Sequence, residues 1–106
     1  MSAEKKSREE VDRLFIEFAQ KHSEVEAICE AGDFEEDFPV FYILIPGYKP
    51  NNGIEDEVSD LTIRVCRELG MNIEAMIYPI SAKNIDGHLA HPRPVYRRKQ
   101  NPPYKA

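Results

Sequence analysis

The chain has 106 residues, 42% hydrophobic and 31% charged, with a net charge of −5 and two cysteines. That length makes one domain, the acidity excludes a body that grips phosphate backbones, and no apolar run nears the ~20 residues needed to cross a bilayer. The N-terminus MSAEKKSREE is too polar for a signal peptide, and Cys29 and Cys66 read as two buried free thiols, so a reducing, cytoplasmic location is expected.

Ser7 precedes Glu9 and Glu10, and Val11, Leu14, Phe15 and Phe18 then recur at helical spacing. A hydroxyl cap, an acidic first turn and that period predict an amphipathic helix from about Arg8 to His22. Beyond it, Val25, Ala27, Cys29 and Ala31 alternate with Glu24, Glu26, Ile28 and Glu30, which predicts a half-buried strand with the glutamates outward. Gly32-Asp33 ends that strand, and residues 34–37 form a short acidic connection.

The run from Phe38 to Ile45 is apolar almost throughout, as expected of a central strand buried on both faces, with Pro39 at its start. Pro46 to Gly53 is a turn or loop. Ile54, Val58, Leu61, Val65 and Leu69 mark a second helix with an acidic first turn (Glu55, Asp56, Glu57) and Gly70 at its C-cap. Residues 73–80 (IEAMIYPI) read as a third strand, placed at an edge by Pro79.

The charge then changes sign. Residues 1–82 hold 18 acidic and 8 basic side chains, whereas residues 83–106 hold one acidic and 6 basic, with four prolines. The chain therefore divides into an acidic α+β domain, 1–82, and a basic, proline-rich C-terminal tail, 83–106. The short link between the first two strands favours an antiparallel hairpin, and the helix between the second and third favours a parallel crossover. The expected fold is helix-strand-strand-helix-strand: a three-stranded mixed sheet, order 1-2-3, with two helices on one face.

Chemistry-bearing motifs are sparse. Asp33 to Asp37 lacks the ligand spacing of a calcium loop, and Glu55, Asp56, Glu57 and Asp60 are accounted for by the helix dipole. His88 and His91 lie three apart, but neither cysteine stands near another Cys or His to complete a zinc set. His22 closes the first helix, where a partial positive charge is favourable. Ser7, Ser23, Ser59 and Ser81 lack a nucleophile-elbow context, and no glycine-rich phosphate loop occurs. No catalytic residue, metal ligand or cofactor is expected, and a non-enzymatic role is favoured.

The order of elements, with the phrases VEAICEAGD, FYILIP and VCRELGMNIEAMIYPIS, resembles the core of minimal nucleotidyltransferase domains over roughly residues 25–81. That family carries a Gly-Ser signature and paired metal-binding aspartates. In this chain Gly32 is followed by Asp33, and Phe38 and Val40 occupy the aspartate positions. Two-metal chemistry needs those oxygens. The resemblance therefore implies a degenerate, non-catalytic relative, with no functional residue carried over.

Two helices on one face leave the other face of the sheet to be covered by the tail, a partner chain or a ligand. Ile28, Tyr42, Met76 and Tyr78 are expected on that second face, and they join Tyr96, Arg97, Arg98 and Lys99 of the tail as the candidate interface. The tail reads equally well as a flexible terminus or as a segment docked on Glu26, Glu30 and Glu74, within one chain or across a dimer. Tyr96 and Tyr104 beside Arg97, Arg98 and Lys99 also allow weak nucleic-acid binding, ranked third because the acidic body repels a polyanion. The leading expectation is a small binding or regulatory module working through a protein interface, as a homodimer.

Overall fold

The computed structural model describes residues 2–31, 39–50, 53–81 and 92–98, with side chains of the first helix from Arg8 onward. Helix α1 (Ser2–Lys21) is followed by β1 (Ala27–Glu30), β2 (Val40–Leu44), helix α2 (Ile54–Leu69), β3 (Glu74–Tyr78) and β4 (Arg93–Arg97). The fold is α+β with a mixed sheet, and it corrects one expectation. The sheet has four strands in the order β3-β2-β1-β4, not three. β1 pairs antiparallel with β2, β2 pairs parallel with β3, and the basic segment adds β4 antiparallel to β1. Proline spacing concealed that strand, because Pro92 and Pro94 suggest an unpaired extended chain, yet an edge strand tolerates proline.

One main core unites both helices with one face of the sheet. Val11, Leu14, Phe15, Phe18 and Ala19 of α1 and Ile54, Val58, Leu61 and Val65 of α2 pack with Ile28, Phe41 and Ile43. Phe15 stacks on Phe41 with ring centroids 4.5 Å apart. A fully buried side chain of this size contributes roughly 1.5–3 kcal/mol. The helical period predicted these faces, because each reflects one element's own amphipathicity.

Both helix ends differ in instructive ways. α1 begins at Ser2 rather than near Arg8, so Ser7 stands within it and does not cap it. α2 is framed by two left-handed glycines, Gly53 (φ 82°) and Gly70 (φ 67°). The Gly70 N–H donates to the Cys66 carbonyl at 3.1 Å, closing the helix as expected. Cys66 itself is exposed while Cys29 is buried, which corrects the expectation of two buried thiols. Cys66 is turned about 100° from the buried Val65, onto the outer side of the helix.

Among the described residues no helix is long and apolar enough to cross a membrane, and no group of His, Cys, Asp or Glu is arranged to hold a metal ion. Asp33 to Asp37, His88 and His91 lie outside the described residues.

Candidate interaction surface

The second sheet face consists of Ala27, Cys29, Val40, Tyr42 and Leu44, all buried, with Ala31, Tyr78 and Ile80 against them. Among the described residues, none of either helix belongs to this cluster. Tyr42 and Tyr78 meet here with ring centroids 4.6 Å apart, and burial, helped by the neighbouring Tyr78 hydroxyl, pushes the Tyr42 phenol up to about 12. Met76 shares the face because it pairs in register with Tyr42, and at 39% it is the more exposed neighbour.

Ile28 does not belong to this face. It packs among the helix-facing core residues and is 1% exposed. Register explains the correction: Ala27 and Cys29 point to the second face, so Ile28 between them must point to the helices. Tyr96, paired with Ile28, also packs against the main core. Because Ile28 and Tyr42 are both buried, neither offers contact area to a partner.

The basic segment is held by two of its own arginines, Arg93 and Arg98, which reach two carboxylates and several backbone carbonyls of the body. Glu30, expected to face solvent, is buried and accepts hydrogen bonds from Arg8 Nη2 (2.6 and 2.7 Å) and from Arg93 Nε (2.8 Å). Arg93 also holds Asp12 of α1 through two bonds of 3.0 and 2.9 Å. Asp12, together with Glu30, keeps the Arg93 guanidinium charged, raising its pKa. Arg98 donates from Nε to the Val25 carbonyl (3.0 Å) and from Nη2 to Ala19 (2.7 Å) and His22 (3.0 Å). It thereby adds a charged donor at the Ala19 and His22 carbonyls, which also accept from the His22 and Val25 N–H groups, and its guanidinium lies 5.6 Å from the Tyr96 ring centroid. Of the docking carboxylates expected, Glu30 takes part directly and Glu26 through its backbone carbonyl, which accepts from the Arg98 N–H at 2.9 Å. Glu74 lies in β3, at the opposite edge. Arg97 is exposed beside an apolar depression of about 210 Å³ lined by Ala27, Cys29, Leu44 and Pro94. Lys99 lies outside the described residues.

His22 Nε2 lies 2.8 Å from Glu57 Oε1, and its ring tilts against Phe18, tying the end of α1 to the first turn of α2. This contact is a structural tie between the helices.

The sheet's two edges differ in chemistry. β4 presents exposed Arg93, Pro94 and Arg97, and Pro94 has no N–H to offer a further strand. Charge and proline are the usual devices that blunt an edge. β3 (EAMIY) has no proline, lysine or arginine. Its inward groups are identified by two bonds: Glu74 N–H to Pro39 C=O (3.0 Å) and Ile45 N–H to Tyr78 C=O (2.9 Å). In a parallel ladder alternate residues bond the same neighbour. Glu74, Met76 and Tyr78 therefore face β2, and the N–H and C=O of Ala75 and Ile77 point away from it. Among the described residues β3 pairs with β2 alone. A shallow cleft of about 260 Å³ adjoins this edge, lined by Tyr48, Glu55, Val58, Ser59, Ala75 and Ile77. The sequence signalled the edge through Pro79, but not its open chemistry, which depends on which neighbour each residue bonds.

Comparison with known proteins returned no matching family model, no matching curated protein and no matching solved structure.

Proposed function

We propose that this protein is a small, non-enzymatic binding module that acts through a protein–protein interface at the outer edge of β3. The observation that carries this reading is the outward row of Ala75 and Ile77 backbone groups, flanked by the exposed Met76, on a strand without proline, lysine or arginine. A row of unpaired N–H and C=O groups is a template for an added strand, with main-chain bonds giving affinity and alternate side chains giving specificity. The second sheet face is too well buried for the role, and Arg93 and Arg98 are committed to the chain's own acceptors.

Selection of a random-peptide library on the immobilised protein tests this reading. Extended, β-branched sequences should be enriched, and they should lose binding to an Ala75→Pro variant, whose ring replaces an outward N–H without touching the β2 ladder. Enrichment of sequences indifferent to that substitution, or of none, removes the support for an edge interface.

A further inference from the structure

We infer that the occupant of the β3 edge is the β3 edge of a second copy of this chain, paired antiparallel about a two-fold axis through Met76. This rests on the reading of that edge as the contact surface, and it specifies the partner and the register.

Symmetry restricts the geometry first. Two identical strands joined edge to edge in a closed dimer are related by a two-fold axis across the strands, so they run antiparallel. The outward residues Ala75 and Ile77 must then form the hydrogen-bonded pairs. Centring the axis on Met76 satisfies this: each Ala75 faces Ile77 of the other copy, and four main-chain hydrogen bonds form. Glu74 faces Tyr78 across the junction, and the two Met76 side chains meet on the axis.

The side chains suit that register. The only charge of β3, Glu74, stands opposite a phenol rather than another carboxylate. On the helix side, Ile77 of the second copy comes to lie over the small Ala75, beside the cleft bordered by Val58 and Ser59. On the other side, exposed Met76 becomes covered. The same operation at the β4 edge would set Arg93 against Arg97, like charges directly opposed, and would leave Pro94 without a bond to donate. Self-complementarity therefore distinguishes the two edges. A five-residue strand gives a contact below the roughly 1,200 Å² of standard interfaces, so the dimer should be weak and dependent on concentration.

Sedimentation equilibrium of the full chain from micromolar to sub-millimolar concentration should show a reversible monomer–dimer equilibrium. Ala75→Pro should abolish it, and Met76→Lys, which opposes two ammonium groups on the axis, should raise the dissociation constant about tenfold or more. Thermal unfolding of both variants, measured at monomeric concentration, checks that the fold is intact. In a Cys66→Ser background, Met76→Cys should form an intermolecular disulfide under oxidised glutathione. Glu74→Cys should not, because its two copies would stand about 14 Å apart at about 3.4 Å per residue, beyond disulfide reach.

A chain that stays monomeric throughout, a dimer that survives Ala75→Pro, or equal cross-linking at positions 74 and 76 overturns the proposal. If the chain is monomeric but selected peptides still bind in a manner sensitive to Ala75→Pro, the second copy is excluded while the edge interface stands. If neither is seen, both fail.

Discussion

Arg93 Nε meets Glu30 Oε1 at 2.8 Å across 63 positions of sequence, and this contact joins the basic segment to the acidic body. The charge change near residue 83 thus has a destination within the chain: a carboxylate buried between β1, β4 and α1, shared by Arg8 and Arg93.

Glu30→Ala leaves two guanidiniums without the acceptor they share. Glu30 is buried but both guanidiniums are partly exposed, so the loss falls between that of a surface pair and that of a buried one, about 1–3 kcal/mol. Urea denaturation should show a loss of that order, whereas exposed Glu17→Ala, paired with Arg13 on the surface of α1, should change stability by less than about 1 kcal/mol. Similar midpoints for the two variants would show that Glu30 is not the anchor.

Arg98→Ala strips donors from three carbonyls near the end of α1. Hydrogen bonds to charged groups contribute about 1.5–3 kcal/mol each, and solvent will replace some of them, so a loss of about 2 kcal/mol is expected. Arg98→Lys, with a single ammonium in place of a planar fork, should recover less than half. Truncation after Lys83 removes β4 and both arginines and should destabilise more than either substitution. Unchanged thermal stability of the truncated chain would contradict β4 as an integral strand.

Alkaline pH should weaken the fold through Tyr42. Burial raises its folded pKa to about 12 from an ordinary value of 10.0, so the folded state holds the proton more tightly than the unfolded chain does. The resulting stability is complete below about pH 10 and lost as pH rises through about 12, on the order of 2 kcal/mol in all. Denaturation midpoints across that window should fall in wild type and flatten in Tyr42→Phe. A variant with the wild-type slope would assign the effect elsewhere.

Gly70 has φ 67°, and no atom lies within 4 Å of the position a Cβ would take, so Gly70→Ala meets no clash. Its cost is conformational alone, about 1–2 kcal/mol, and Gly70→Asn should cost less because asparagine tolerates the left-handed region. Equal losses for both would point to a packing role.

The two thiols should differ in reactivity. Cys66 is exposed and Cys29 buried, so a thiol reagent should modify Cys66 quickly in the native protein and Cys29 only after unfolding. Two fast-reacting thiols would contradict the register that buries Cys29 beside Tyr42.

The periodic signals are legible because they are local. Val11, Leu14, Phe15 and Phe18 declare one helix face, Val58, Leu61 and Val65 another, and Phe41 to Leu44 a strand inside the sheet. Gly70 announces the end of α2 because glycine alone adopts a left-handed cap without a Cβ penalty. The candidate surface is less legible. Ile28 is misplaced because alternation sets it opposite Ala27 and Cys29 but does not say which of the two faces the helices cover. Glu30 reads as solvent-facing because its burial depends on Arg8 and Arg93, which are 22 and 63 residues away.

Sequence alone determined the element order, the core faces of both helices and the mixed pairing of the first three strands, since hydrophobic period and connection length encode them directly. Tertiary structure alone decided that the basic segment becomes a fourth strand, and that among the described residues the sheet ends in β4, with its arginines and proline, on one side and in β3, paired with β2 alone, on the other. Strand partnership is a non-local choice. It is settled by Glu30, Asp12 and the carbonyls ending α1 converging on Arg93 and Arg98, and no window of neighbouring residues contains that information.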